Sequence, residues 1–391
     1  MSASDVVVLV THLIWIRVCK VALALKLQGI RVVLVHADDA FDRMDPEIKA
    51  LFHDVLTFDS PEDAVLKAAR FSPLVHHVFC NWNYEVARAF IHLRPGVIVV
   101  DTKDVIGGFV RPETLRMYPG RAADEKFCFE KADGICCSDL RTQHLKRKLG
   151  YRLPHRLLWA DYCWPEGFTG ERSERAAGTN VACVGSIETN PSSPLAYGYV
   201  LGRMLAEAGI AFHLFPTNPG SAARLQTGVP ASIAPRLARY VQVHNTQSFL
   251  SLSRELGRFQ AGILISSSTA DYSGENETYY PFLADYLIAS RLFDYHEAGL
   301  LILMQPMRLA ARVFGRSGAV RCVRDLSQIV EIMSTSENER FGVNDRLRLD
   351  YHAHRLPRFY RQLQAASRGR TNKLSGSVYP DPTVGNRDRN Q

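Results

Sequence analysis

No stretch of about 18 consecutive uncharged apolar residues occurs in the 391-residue chain, so no membrane-spanning helix is expected. The opening "MSASDVVVLV" lacks a basic segment before its apolar run and carries Asp5 just ahead of it. It reads as a first strand, not a secretion signal. None of the eight cysteines forms a CxxC pair, and most lie in apolar runs, which favours buried thiols in a reducing compartment over disulfides or zinc. GxGxxG, GxxxxGK[ST] and HExxH are all missing. The first apolar run leads into "THLIWIR", without the glycine turn a dinucleotide needs. Dinucleotide-dependent, P-loop and zinc-peptidase chemistries are thereby disfavoured, and no tightly bound metal or cofactor is expected.

What is present points to a globular protein with an anionic partner. Hydrophobic residues make up 46% and charged residues 22%, and the formal net charge is +7. Nucleic acid, a membrane surface and phosphorylated substrates all fit that sign. Nucleic acid fits worst, because the basic residues do not interleave with a reading module. The segment "RTQHLKRKLGYRLPHR" (141–156) has six Lys/Arg, two His and no acid. It reads either as a solvated helix face or as a patch for phosphate or a membrane surface.

The length suggests two domains. In the first half, short apolar runs at Val6–Val10, Val32–Val35, Val55–Phe58, Leu74–Phe79 and Val97–Val100 alternate with helical spacing at Trp15–Leu27, Pro61–Arg70 and Pro112–Lys131. "ADGICCSD" gives one more strand, and Ser138–Leu149 a basic helix. Such runs are what a parallel sheet covered on both faces requires. The polar, glycine-bearing "PEGFTGERSERAAGTN" (165–180) breaks the pattern. The alternation then restarts, with strands at Val181–Val184, Ile210–Phe215, Tyr240–Val243, Ala261–Ile265, Leu300–Met304 and Ala319–Val323. The expected α/β architecture is two tandem Rossmann-like, doubly wound domains facing across a cleft. Residues 1–165 form the first, 166–180 a linker and 181–340 the second. A final helix covers 341–366, and the Gly/Ser/Asn/Arg-rich 367–391 reads as a disordered tail.

Open parallel sheets bind ligands beyond the carboxyl ends of their strands, so the candidate residues are those that follow strands. "VVDTKDVIGG" (99–108) offers Asp101 and Asp104. Either could take a proton from a hydroxyl nucleophile, or cap a turn. "VGSIETN" (184–190) offers Gly185 for close backbone approach and Ser186 as a donor to phosphate, or else a plain strand-to-helix turn. His12, Trp15 and Arg17 in the first loop could meet a sugar or an anion, or pack into the core. In "SRLFDYHEAGLLIL" (290–303), Arg291 and Asp294 share a helical turn, and Glu297 reads as a surface residue near the helix end.

That last segment resembles the "nKlfeYlaaGlPvi" element of GT-B glycosyltransferases, especially family 4/group 1. "VACVGSIE" (181–188) is similar to the strand and glycine turn that open their second domain, and "EKADGICCSD" (130–139) to the segment closing the first. The resemblance covers most of residues 5–335. It implies a nucleoside-diphosphate sugar as donor on the second domain and an acceptor on the first: a glycan, a lipid-linked molecule or a small molecule. Asp294 would then hold the donor ribose, and Arg291, Gly185 and Ser186 would lie near the diphosphate. Asp104, or failing that Asp101, would be the base of an inverting transfer. The Glu–x7–Glu pair of retaining relatives is absent, since Tyr286 stands eight positions before Asp294, and Leu301 replaces the usual proline. Glu275 and Glu277 could substitute, or form a solvated loop. A cytoplasmic enzyme, with peripheral membrane contact through 141–156, is the expectation. A non-catalytic scaffold and a sugar-nucleotide epimerase are the alternatives, because the same fold hosts all three.

Overall fold

A computed structural model describes residues 5–185, 197–265, 280–336 and 340–375. Two parallel sheets dominate it. The first contains β1 (Val6–Thr11), β2 (Arg31–His36), β3 (Asp54–Thr57), β4 (Val75–Cys80), β5 (Ile98–Thr102), β6 (Gly134–Cys137) and β7 (His155–Leu158), in the order β3-β2-β1-β4-β5-β6-β7. The second contains β8 (Asn180–Gly185), β9 (Ala211–Pro216), β10 (Val241–Val243), β11 (Ala261–Leu264), β12 (Leu301–Met304) and β13 (Val320–Cys322), in the order β10-β9-β8-β11-β12-β13. The order reverses between β1 and β4 in the first sheet and between β8 and β11 in the second. Each reversal opens a crevice at the carboxyl ends. The two expected doubly wound units are therefore present.

The sheets form because their central strands are largely apolar runs with both faces covered. Every residue of β1 and β8 is buried. Seven of the eight cysteines are buried and only Cys322 is exposed. No described helix is long and apolar enough to cross a membrane.

Several elements differ from the expectation. The helix predicted over Pro112–Lys131 splits into Pro112–Arg116 and Arg121–Lys131, because Pro119 and the left-handed Gly120 (φ 84°) break it. The basic run 141–156 is not one surface: it holds a short helix, Arg141–Lys148, and the edge strand β7. A helix at Pro219–Ala231 was not anticipated. The last helix begins at Arg355 and continues to Ser375, so residues 367–375 belong to it and not to a disordered tail.

That helix returns to the first sheet. Tyr360 Oη lies 2.5 Å from His77 Nδ1 on β4, and Leu363 and Phe359 press on Gly134 of β6. Two chain crossings thus join the domains, and they run side by side: Cys163 N donates to Leu347 O, and Leu349 N to Cys163 O, both at 2.9 Å.

In the second domain the helix Ser290–Glu297 is seated by Tyr295, which is fully buried. Its hydroxyl accepts from Val184 N (2.9 Å) and donates to Ile263 O (3.1 Å), and its ring lies flat over Gly262 of β11. A β-carbon at Gly262 would overlap that ring. Gly262→Ala should therefore cost about 1–3 kcal/mol through overpacking. Urea unfolding of the variant with an unchanged midpoint would contradict this seating.

Candidate active site at the strand ends

The residues expected to handle the donor phosphates come together in part. Gly185 ends β8 with φ 130°, a region L side chains rarely adopt. The Arg291 guanidinium lies directly against it, so any β-carbon at position 185 would collide with that group. Arg291 belongs to the first turn of the Ser290–Glu297 helix. A glycine without a side chain, a guanidinium and a helix N-terminus are thus gathered at one strand end, the ingredients of an anion site. Ser186, Glu275 and Glu277 lie outside the described residues.

Asp294 faces elsewhere. It is 8% exposed, and its Oδ1 is 3.5 Å from Lys20 Nζ on the first-domain helix Ile16–Lys26. Burial raises its pKa and Lys20 opposes the rise. Asp294 therefore stands at the junction of the domains.

Asp101, on β5, has no exposed surface. Its Oδ1 accepts from Arg17 Nε at 2.7 Å and its Oδ2 lies 3.0 Å from His77 Nε2. Burial resists ionisation there, but Arg17 and His77 outweigh it and the pKa falls. A base must reach the proton it takes. Asp101 has no route to one, so its expected role as the alternative base is corrected to a structural one. Arg17 likewise is core: it is 1% exposed and donates on to Trp159 O (2.6 Å) and Asp161 Oδ1 (2.8 Å). Asp161 accepts from the Ser290 hydroxyl on the second domain, and Lys20 Nζ donates to its carbonyl at 3.3 Å. Burial opposes its ionisation too, yet Arg17 and Lys103 hold it at about 2.

Asp104, two residues past β5, keeps about a third of its side chain exposed (33%). Its Oδ1 is 3.6 Å from Arg141 Nη1. Arg141, read in the sequence as one cation of a surface patch, is 2% exposed and fixed by Asp139 at 2.8 Å. The rest of that patch, including Lys146, Arg147, Lys148, Arg152 and Arg156, is exposed.

The loop carrying Asp104 is tied down by a residue that no motif singles out. Glu125 is fully buried and accepts from Ile106 N (2.6 Å), Gly107 N (2.7 Å) and the Tyr84 hydroxyl (2.9 Å). Burial lifts its carboxyl to about 7 against those three donors. The one signal was "GG" at 107–108: a β-carbon at Gly107 would overlap Tyr151 Oη and crowd Glu125. Burial lowers the pKa of His12, just past β1, with Glu85 acting against the shift, and its buried Nε2 has no hydrogen-bond partner among the described residues.

Among the described residues one trio has the spacing of metal ligands: His77, Asp101 and Cys136 bring donor atoms within 4.8 Å of one another. Arg17 already fills that role, with Nε on Asp101 and Nη2 3.7 Å from Cys136 Sγ. A metal ion there would have to displace a buried guanidinium.

Glu297 corrects the surface reading. It is 4% exposed and accepts from Trp164 N at 2.9 Å. Burial raises its carboxyl to about 7, with Lys20 pulling the other way.

With this geometry in hand, comparison with known proteins is informative at the level of fold. Neither a family model nor a curated protein sequence matches the chain. Solved structures do. Sucrose-phosphate synthase from Thermosynechococcus elongatus superposes with a TM-score of 0.62 at 12% identity, covering 93% of this chain and 100% of that one. A glycosyltransferase from Rickettsia africae gives 0.57 at 9% identity, covering 92% and 98%. UDP-GlcNAc 2-epimerase from Methanocaldococcus jannaschii gives 0.54 at 10%, covering 90% and 98%. The chain has the two-domain, Rossmann-like GT-B fold.

Two variants separate structural from surface acids. Asp101→Asn strips a buried guanidinium of a charged partner and should cost about 3–5 kcal/mol, whereas Asp104→Asn should cost less than about 1 kcal/mol. Equal losses in urea unfolding would contradict this division. Glu297 makes a pH-dependent prediction. Its folded pKa of about 7 exceeds the ordinary 4.5, so its stabilising share is complete below the lower value and is lost as pH rises through the upper one. Glu297→Gln keeps an acceptor for Trp164 N. Relative to wild type, it should gain up to about 3 kcal/mol between roughly pH 5 and pH 8. A wild-type-minus-variant difference that stays constant between those two pH values would rule out this titration.

Proposed function

We propose that the protein transfers a sugar from a nucleoside-diphosphate sugar to an acceptor bound on the first domain. The observation that carries this reading is the contact between Arg291 and the left-handed Gly185 at a helix N-terminus. Catalysis of glycosyl transfer requires stabilising the departing diphosphate, where negative charge develops. A guanidinium lying against a glycine backbone supplies that. The donor nucleotide lies beyond β8 and β11. Asp294, next along the helix, gives one oxygen to Lys20 and the other to a ribose hydroxyl. Ser186 completes the phosphate contacts. Asp104 is the base that activates the acceptor hydroxyl in an inverting transfer, steadied by Arg141 and by the Glu125-anchored loop. The chemistry needs no metal, because the leaving group is met by Arg291.

The absent Glu–x7–Glu pair supports inversion. Tyr286, which stands in the place of the first glutamate, has its carbonyl engaged by Leu140 N of the first domain. The exposed cations between Lys146 and Arg156 would bring the acceptor side to an anionic membrane face, which fits a lipid-linked acceptor. Similarity to a UDP-GlcNAc 2-epimerase supports a second reading, in which the donor alone is processed.

Calorimetric titration with UDP, GDP and their sugars, joined to an assay of nucleotide release with and without acceptor extracts, tests the proposal. Arg291→Ala should lower turnover by about 10²–10³-fold and Asp104→Asn by about 10²–10⁴-fold, the latter without loss of nucleotide affinity. Absence of any nucleotide binding would leave the scaffold alternative standing. Sugar conversion without an acceptor would favour the epimerase.

A further inference from the structure

The two chain crossings between the domains do more than connect them. On one side they floor a groove of about 280 Å³ that lies beyond the ends of β6 and β7. That is close to the lower end of small-molecule sites, about 300 Å³. Its lining comes from three parts of the chain: Leu158 from the first domain, Ile288, Leu309 and Val313 from the second, and Arg346 and Arg355 from the returning C-terminal segment. Leu309 and Val313 are four residues apart on the helix Arg308–Phe314 and both are half-buried: they pack in part on the core and present the rest of their apolar surface to the groove. Leu158 adds a side chain that is 38% exposed.

The polar end of the groove has one sign of charge. Arg355 spends its donors on neutral partners, Tyr162 Oη and Leu158 O, both at 2.9 Å. Arg346 is exposed, and neither arginine forms an ion pair among the described residues. Asp139, the acid in the lining, is committed to Arg141. An apolar trough ending in two guanidinium groups without carboxylate partners complements a chain that carries an anionic head. Guanidinium matches phosphate by paired, parallel hydrogen bonds.

We propose that this groove binds a single-chain amphiphile with a phosphate head, its chain along Leu309 and Val313 and its head at Arg346 and Arg355. Because the walls belong to both domains, an occupant bridges them. The site is read by binding alone and does not depend on the transfer reaction.

The test is calorimetric titration of the full chain with decyl phosphate, kept below its micelle-forming concentration, with decanol and inorganic phosphate as partial probes. Decyl phosphate should bind, and each partial probe should bind at least about tenfold more weakly. Arg346→Glu, at an exposed position, should weaken decyl phosphate by about tenfold or more, and Val313→Asp should abolish binding. The melting temperature should rise with ligand concentration in the wild type and stay fixed in Val313→Asp. Since Val313→Asp can disturb folding, Arg346→Glu with an unchanged melting temperature is the deciding variant. No binding to the wild type, or equal affinity in wild type and Arg346→Glu, overturns the proposal. Tight binding of inorganic phosphate alone would overturn the amphiphile and leave a plain anion site.

Discussion

Arg17 is the point on which both domains are assembled. Its guanidinium is buried and receives β5 through Asp101, and the outgoing chain through Trp159 O and Asp161. Asp161 then holds Ser290 of the second domain, while Lys20, almost one turn beyond Arg17, reaches Asp294. Burying so many charges is worth little as net stability, because desolvation consumes most of the attraction. Removing one member is another matter, since it leaves a naked charge in the interior. The network therefore acts less as glue than as a set of fixed positions. It admits one placement of the helix Ser290–Glu297 relative to the first sheet, and that helix carries Arg291.

The same device recurs in milder form. Glu125 gathers Ile106 N and Gly107 N in the first domain, and Glu297 takes Trp164 N where the chain leaves it. Each is a buried carboxyl raised to about 7, satisfied chiefly by backbone donors. Backbone groups in loops must find partners once buried. A carboxylate that accepts from such groups lets an irregular segment hold one shape without regular pairing: Glu125 does so with two N–H groups of the loop bearing Asp104, and Glu297 with one at the Trp164 crossing.

How much of this was legible in the sequence follows from the range of each interaction. The central strands announce themselves, since a covered parallel strand such as "VVVLV" needs β-branched residues along its whole length. The edge strand "HRLL" does not, because three of its four residues are exposed. The helix Pro219–Ala231 hides behind its opening proline and glycine and an internal Pro230. Gly185 and Arg291 stand out in the sequence because their signal is local: a glycine at a strand end, a cation at a helix start. Asp101 and Glu297 were misread for the opposite reason, and the tie of Asp294 to the first domain was missed with them. Their partners Arg17, Trp164 and Lys20 lie 84, 133 and 274 positions away. Composition and periodicity carry no trace of such pairings, and a buried acid looks like a surface acid until its partner is seen.

The return of the last helix to the first sheet has a consequence for biosynthesis. Chains emerge from the ribosome amino end first, and domains commonly fold in that order. Here the His77 ring waits for Tyr360, and Gly134 waits for Phe359 and Leu363. The nascent first sheet can collapse early, but its face under that helix stays open until the second domain has been synthesised. Final closure of the first domain therefore follows the synthesis of the domain between.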